Sequence, residues 1–210
     1  TDTDALYSFN TTSEATELLY SHDVVDISRV EFAPDGYLLG VYIEPDYPEY
    51  ITINQDHALS KALASVRASL KGYRVRATSM TRDGKLAIIG ANSDRLPGMY
   101  FLLDVEANQL SRIVSVLSGL DPRQMRPMGP YKLEVRDGTE MYAYRTRPDD
   151  SDGPFPMVVL PHGGPHGVRD YWSFSPDVQM LASRGYAVLQ VNFRGSGGYG
   201  REFLYTGYGK

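Results

Sequence analysis

Two architectures in series are predicted for this 210-residue chain: repeated all-β units of the kind that form β-propeller blades, then a mixed α/β segment. Three observations predict them. Short β-branched and aromatic runs separated by turn residues fill the first half. The unit Val30-Glu31-Phe32-Ala33-Pro34-Asp35-Gly36-Tyr37-Leu38 aligns with Ala77-Thr78-Ser79-Met80-Thr81-Arg82-Asp83-Gly84-Lys85-Leu86, and the shared Asp-Gly turns lie 48 residues apart. Beyond residue 157 an apolar strand, a helix and a second apolar strand succeed one another, the order of a βαβ unit.

Strands are predicted at 5–9, 28–33, 37–43, 74–80, 86–91, 99–104 and 109–116. A second register supports the repeat, since Leu6-Tyr7-Ser8-Phe9-Asn10 resembles Phe101-Leu102-Leu103-Asp104 at close to twice the period. A strand-rich repeat of about 40–50 residues suits a four-stranded blade, with Asp-Gly closing hairpins that need φ > 0. On the residues alone, a β-sandwich with coincidental Asp-Gly hairpins is the alternative. Between the two copies, Ala58, Leu59, Ala62, Leu63, Val66 and Leu70 recur at helical spacing, which predicts a helix over 56–71, capped by Asp56, stopped at Gly72 and laid over its own sheet.

Gly119, Pro122, Pro127, Gly129 and Pro130 can sustain neither ladder nor helix, so 119–130 is predicted as a linker between units at 1–118 and 131–210. Strands follow at 131–135 and 140–145 around an Asp137-Gly138 turn, then a solvated acidic loop at Asp149-Asp150-Ser151-Asp152. Next come a strand at 157–160, a helix at 177–183 ending at Gly185, and a strand at 186–191. The continuous apolar character of 158–160 and 187–189 suits a sheet covered on both faces.

Composition narrows the function. A net charge of −5 without a Lys/Arg cluster argues against nucleic acid as a partner. No run approaches the roughly 20 apolar residues that a membrane span requires. The absence of Cys removes disulfides, thiolate nucleophiles and Cys-based zinc sites, and leaves the compartment of a soluble protein open between cytoplasm and periplasm or secretion. Thr1 in place of Met, and the Gly-rich finish at Tyr208-Gly209-Lys210, suggest a piece of a longer polypeptide.

The chemistry concentrates at Pro161-His162-Gly163-Gly164-Pro165, where a strand opens into a loop with adjacent glycines. Such a loop can present bare backbone N–H groups to a developing negative charge, with Pro165 stiffening its exit. No G-x-S-x-G nucleophile pattern accompanies it. Gly195-Ser196-Gly197-Gly198-Tyr199-Gly200 satisfies G-x-G-x-x-G, but Asn192-Phe193-Arg194 separate it from its strand, which weakens a dinucleotide reading. His162, His166 and Asp170 fall at four-residue intervals, yet Gly163, Gly164, Pro165 and Gly167 forbid the helix that would gather them around a metal. His22 and His57 are expected as surface or capping residues. No cofactor or metal is expected.

From about Gly119 onward the chain resembles the prolyl oligopeptidase family of serine peptidases, in particular its acylaminoacyl-peptidase and dipeptidyl-peptidase-like branches. Four stretches in order carry the resemblance: Arg136-Asp137-Gly138-Thr139-Glu140, Pro161-His162-Gly163-Gly164-Pro165-His166, Leu181-Ala182-Ser183-Arg184-Gly185-Tyr186-Ala187-Val188-Leu189 and Asn192-Phe193-Arg194-Gly195-Ser196-Gly197-Gly198-Tyr199-Gly200. It implies C-terminal propeller blades followed by the N-terminal part of an α/β-hydrolase domain, acting on peptides. The Gly164 N–H would be one oxyanion-hole donor, with His162 and Gly163 shaping the loop. The family's Ser, Asp and His would lie downstream, so this segment alone is expected to be inactive. Neither His162 nor His166 matches the family's catalytic His, and Ser196 lacks the setting of its nucleophile. The exposed sheet edge would be covered by the rest of the hydrolase domain or by another chain. A non-catalytic propeller module that binds a peptide or protein is the alternative.

Overall fold

The computed structural model describes residues 1–164 and 166–209. Every strand predicted in the first half forms. The hairpin β1 (Leu6–Phe9) and β2 (Thr16–Tyr20) is followed by a three-stranded antiparallel sheet of β3 (Arg29–Phe32), β4 (Leu38–Ile43) and β5 (Glu49–Thr52). Helix α1 (Ala58–Ser69) then leads into a four-stranded antiparallel meander, β6 (Arg74–Met80), β7 (Leu86–Asn92), β8 (Met99–Asp104) and β9 (Gln109–Ser115). Both β2 and β5 escaped the sequence pattern.

Alternation explains how α1 and the meander meet. Val75 and Ala77 of β6, Ala87, Ile89 and Ala91 of β7, and Phe101 and Leu103 of β8 point to one face and are buried. Leu59, Ala62, Leu63 and Val66 of α1 close over that face, and Ala33 and Leu39 join the same core from the neighbouring sheet. Each Val, Leu, Ile or Phe side chain among them contributes about 1.5–3 kcal/mol on removal from water, each Ala less. The helix start differs from expectation: His57, not Asp56, is the N-cap, its Nδ1 accepting the Leu59 N–H at 3.2 Å. His22 caps a turn in the same way, accepting from Val24 and Val25.

The second sheet is mixed. Its order is β10 (Met128–Glu134), β11 (Glu140–Thr146), β13 (Ala187–Asn192), β12 (Met157–Val159). β10 begins inside the stretch expected to be linker, and Gly129 and Pro130 sit in the ladder opposite Arg145 and Tyr144. Proline is tolerated there because β10 is an edge strand. β12 and β13 pair in parallel, connected through α2 (Pro176–Ala182), whose N-cap Ser175 accepts the Val178 N–H at 3.4 Å. This is the βαβ unit read from the sequence. A short helix that was not foreseen, α3 (Gly200–Tyr205), follows β13.

No helix among the described residues is long and apolar enough to cross a membrane.

Candidate functional site

Two loops leave the same end of the mixed sheet: residues 160–172 after β12, and residues 193–199 after β13. Glycine lets them pack backbone to backbone. The Gly167 N–H donates to the Gly195 carbonyl at 2.9 Å, and the Gly197 N–H donates to the Val168 carbonyl at 3.2 Å. A side chain at Gly197 would collide with the Gly167 carbonyl, and one at Gly195 with the His166 ring. The G-x-G-x-x-G stretch is thus filled by its own protein, with Gly198 against Arg169 and Gly200 against Asp2, so its glycines serve packing rather than a pyrophosphate.

His162, the first residue of the predicted site, is half-buried in this junction. Its ring stacks on Phe193 with centroids 4.5 Å apart, its Nδ1 lies 2.8 Å from the Gly163 carbonyl and its Nε2 lies 2.9 Å from Ser196 Oγ. Gly163 and Gly164 are exposed. Among the described residues neither amide takes part in a backbone hydrogen bond. Pro165, expected to stiffen the exit, lies outside the described residues. His162, His166 and Asp170 serve separate partners: His166 packs on Tyr208 with ring centroids 4.4 Å apart, and Asp170 Oδ1 accepts from Gln190 at 3.0 Å.

Support behind the loop comes from residues to which sequence reasoning assigned no such role. Asn192, fully buried at the end of β13, accepts the Asp170 N–H at 2.7 Å and donates to the Asp170 carbonyl at 3.1 Å and to the Tyr199 hydroxyl at 2.8 Å. Arg169 lies with its guanidinium 4.1 Å from the centroid of the Tyr199 ring and donates to that hydroxyl at 2.7 Å. Burial pushes the Tyr199 phenol up to about 12, with Arg169 pulling the other way, so the hydroxyl stays protonated and keeps a hydrogen to donate. Burial also raises the Asp170 carboxyl above the ordinary carboxylate value, partly offset by the Gln190 bond and by the His162 and Arg169 charges. At the far side, Arg194 pairs with Asp137 at 2.8 Å and holds that carboxyl well below the usual range. Nothing in the local sequence pairs these residues, because their partners are brought in by the sheet.

Comparison with known proteins matches parts of the chain. Residues 172–210 match the family model described as the Prolyl oligopeptidase family. A dipeptidyl aminopeptidase BIII from Pseudoxanthomonas mexicana is 35% identical over 144 residues, which are 65% of this chain and 21% of that protein. The human acylamino-acid-releasing enzyme is 52% identical over 50 residues, covering 23% of this chain and 7% of the relative. The chain therefore spans about a fifth or less of these curated relatives. Among solved structures, a prolyl endopeptidase superposes with a TM-score of 0.66 at 15% identity over 97% of this chain and 30% of its own. A puromycin-hydrolyzing peptidase from Mycobacterium tuberculosis gives 0.66 at 17% identity over 96% of this chain and 32% of its own.

Proposed function

From the premise that this chain belongs to the prolyl oligopeptidase family of serine peptidases as a partial-length homologue, we propose that the intact polypeptide hydrolyses peptide bonds and that residues 162–164 supply part of its oxyanion hole. The sheets from β1 to β9 are the closing blades of a propeller, residues 119–127 carry the boundary, and β10 onward begins an α/β-hydrolase domain. Spacing supports the blade assignment. The β3–β4 and β6–β7 hairpins fall one repeat apart, and β1–β2 and β8–β9 fall two apart.

One observation carries the catalytic reading: Gly163 and Gly164 are exposed and, among the described residues, their amides stand outside the backbone hydrogen bonds, while His162 beside them is held by Ser196 and Phe193. A donor held in place before the reaction stabilises a tetrahedral oxyanion without reorganisation at the moment of attack. Attack itself needs a Ser nucleophile and a His base oriented by an Asp. The His162–Ser196 pair is not that machinery, because Ser196 is fully buried and no carbonyl carbon can reach its Oγ. Nucleophile and base come from polypeptide outside these residues, and the described segment alone is inert.

Fluorophosphonate labelling of the intact polypeptide tests the proposal. Covalent labelling together with cleavage of a short peptide is expected. Peptide binding without labelling or cleavage would overturn it in favour of a non-catalytic binding module.

A further inference from the structure

We propose that Ser196 is a positioning residue that sets the direction of the Gly164 N–H through the ring of His162, an inference that rests on the oxyanion role proposed above. A carbonyl oxygen only accepts, so the 2.8 Å contact with the Gly163 carbonyl requires His162 Nδ1 to carry a hydrogen. In a neutral imidazole the other nitrogen is then bare and must be the acceptor, so at 2.9 Å the Ser196 hydroxyl donates to Nε2. The Gly163 carbonyl thus requires the Nδ1–H tautomer, and Ser196 completes it by donating to Nε2, which holds the ring against that carbonyl.

Peptide geometry transmits that hold. The Gly163 carbonyl and the Gly164 N–H belong to one peptide unit, and in a trans unit they point in opposite directions. Pinning the carbonyl toward His162 turns the N–H the other way, away from the ring, at a residue that is itself exposed. Two glycines in succession would otherwise leave that plane free to rotate, since glycine accepts nearly every φ/ψ combination.

The anchor is rigid. Ser196 is fully buried, its own N–H donates to the Phe193 carbonyl at 2.9 Å, and Phe193 stacks on the ring that Ser196 holds. The neighbouring Gly195 N–H donates to the Phe203 carbonyl of α3 at 3.2 Å, so the helix braces the whole turn. Burial, not the hydrogen bond, keeps this hydroxyl from attacking a carbonyl, since donation to an imidazole nitrogen is also how a catalytic serine is activated.

The test uses the intact polypeptide. Ser196→Ala is expected to lower kcat about tenfold with KM held within about twofold, less than the hundredfold or more lost when an oxyanion donor is removed outright. Adding Ser196→Ala to His162→Ala is expected to cost nothing further, because the ring through which Ser196 acts is gone. Equal losses in both backgrounds, or an unchanged kcat in the single variant, would overturn the relay. A second readout does not depend on turnover: in polypeptide labelled with nitrogen-15 histidine, His162 is expected as the Nδ1–H tautomer, becoming a mixture in Ser196→Ala. An unchanged tautomer in the variant overturns the relay even if the enzyme is active. A wild type that neither takes fluorophosphonate nor cleaves peptide, yet shows this tautomer response, overturns the peptidase reading while leaving the Ser196–His162 pairing in place.

Discussion

Gly163 and Gly164 stand side by side, yet substitution should separate them sharply. A Cβ at Gly163 meets open space, and its φ lies outside the left-handed region, so Gly163→Ala in the intact polypeptide should keep its thermal stability and most of its activity. Gly164→Pro removes the N–H proposed to meet the oxyanion, and kcat should fall by about 10²–10³, with some loss of folding midpoint because its Cβ would come 3.1 Å from the His166 backbone nitrogen. Steady-state kinetics beside a thermal melt distinguish this from unfolding, and a Gly164→Pro enzyme of ordinary kcat would remove the residue from the site. Asp170 offers a pH signature. Its Oδ2 is buried without a hydrogen-bond partner among the described residues, and burial raises its pKa, so the folded state holds a proton that the unfolded chain has lost. Stability is therefore highest near and below the ordinary value of 3.8, falls as pH rises through the window above it, and stays lowered at neutral pH. Asp170→Asn should raise the melting temperature at pH 7 and leave it unchanged near pH 3.8. A lower melting temperature at pH 7 would mean that Oδ2 has a cationic or N–H partner elsewhere in the polypeptide. The Gly-Gly loop stood out in the sequence through the His162 before it and the family motif it resembles, since two glycines after an apolar strand are by themselves more often only a turn. Ser196 and Phe193 were not, since the contact joins residues 34 apart in two loops whose pairing only the sheet determines.

At the scale of elements, one hairpin device is used three times. In each, the residue two before the Asp accepts from Gly while its own N–H pairs across the turn: Gly36 to Ala33 at 2.9 Å, Gly84 to Thr81 at 3.0 Å and Gly138 to Val135 at 2.8 Å. The Asp side chain accepts the N–H two residues on, at Tyr37, Lys85 and Thr139. The first two copies made the repeat visible in the sequence. The third closes β10 and β11 in the mixed sheet, so the dipeptide marks a hairpin rather than a blade, and the spacing, not the turn, carries the information about repeats. Gly84 takes φ of +70° with nothing near a prospective Cβ, so Gly84→Ala should cost about 1–2 kcal/mol from backbone strain alone. Gly84→Asn should recover much of that in urea unfolding, because asparagine tolerates the left-handed region; an equal loss in both variants would point to packing instead. What the pattern missed follows from length and context. β2, β5 and α3 offer only 5, 4 and 6 residues, too few for a period to declare itself. Of β10, read as a strand from Tyr131, only the start at Met128 was hidden, because Gly129 and Pro130 read as breakers and only the edge position reconciles them with a strand.

Across the whole molecule, Glu44 ties the first sheets to the second. It is buried, pairs with Arg74 of β6, accepts the Trp172 N–H at 2.6 Å and receives the Tyr144 hydroxyl at 3.4 Å, while its own carbonyl accepts from Arg169 at 3.3 Å. Its partners in the second unit lie 100 to 128 residues away, so no window of sequence could have exposed the hub. Asp2 adds a second tie, its carboxylate accepting the Glu202 N–H at the start of α3 at 2.9 Å. The site loop thus hangs between two units, because Arg169 and Trp172 both belong to it. Glu44→Gln keeps an oxygen for Trp172 and Tyr144 but leaves the Arg74 guanidinium, 12% exposed, without its counter-charge. Breaking one partner from a buried ion pair costs about 3–5 kcal/mol, whereas Glu140→Gln, which releases the half-exposed Lys132, should cost less than about 1 kcal/mol. The larger loss falls on the contact between units rather than on either core. Calorimetry of the intact Glu44→Gln polypeptide should therefore show the β1–β9 unit and the mixed-sheet unit melting apart, with kcat declining before the second transition as the loop loses its anchor. A single transition at the wild-type temperature would show that the units are held together elsewhere.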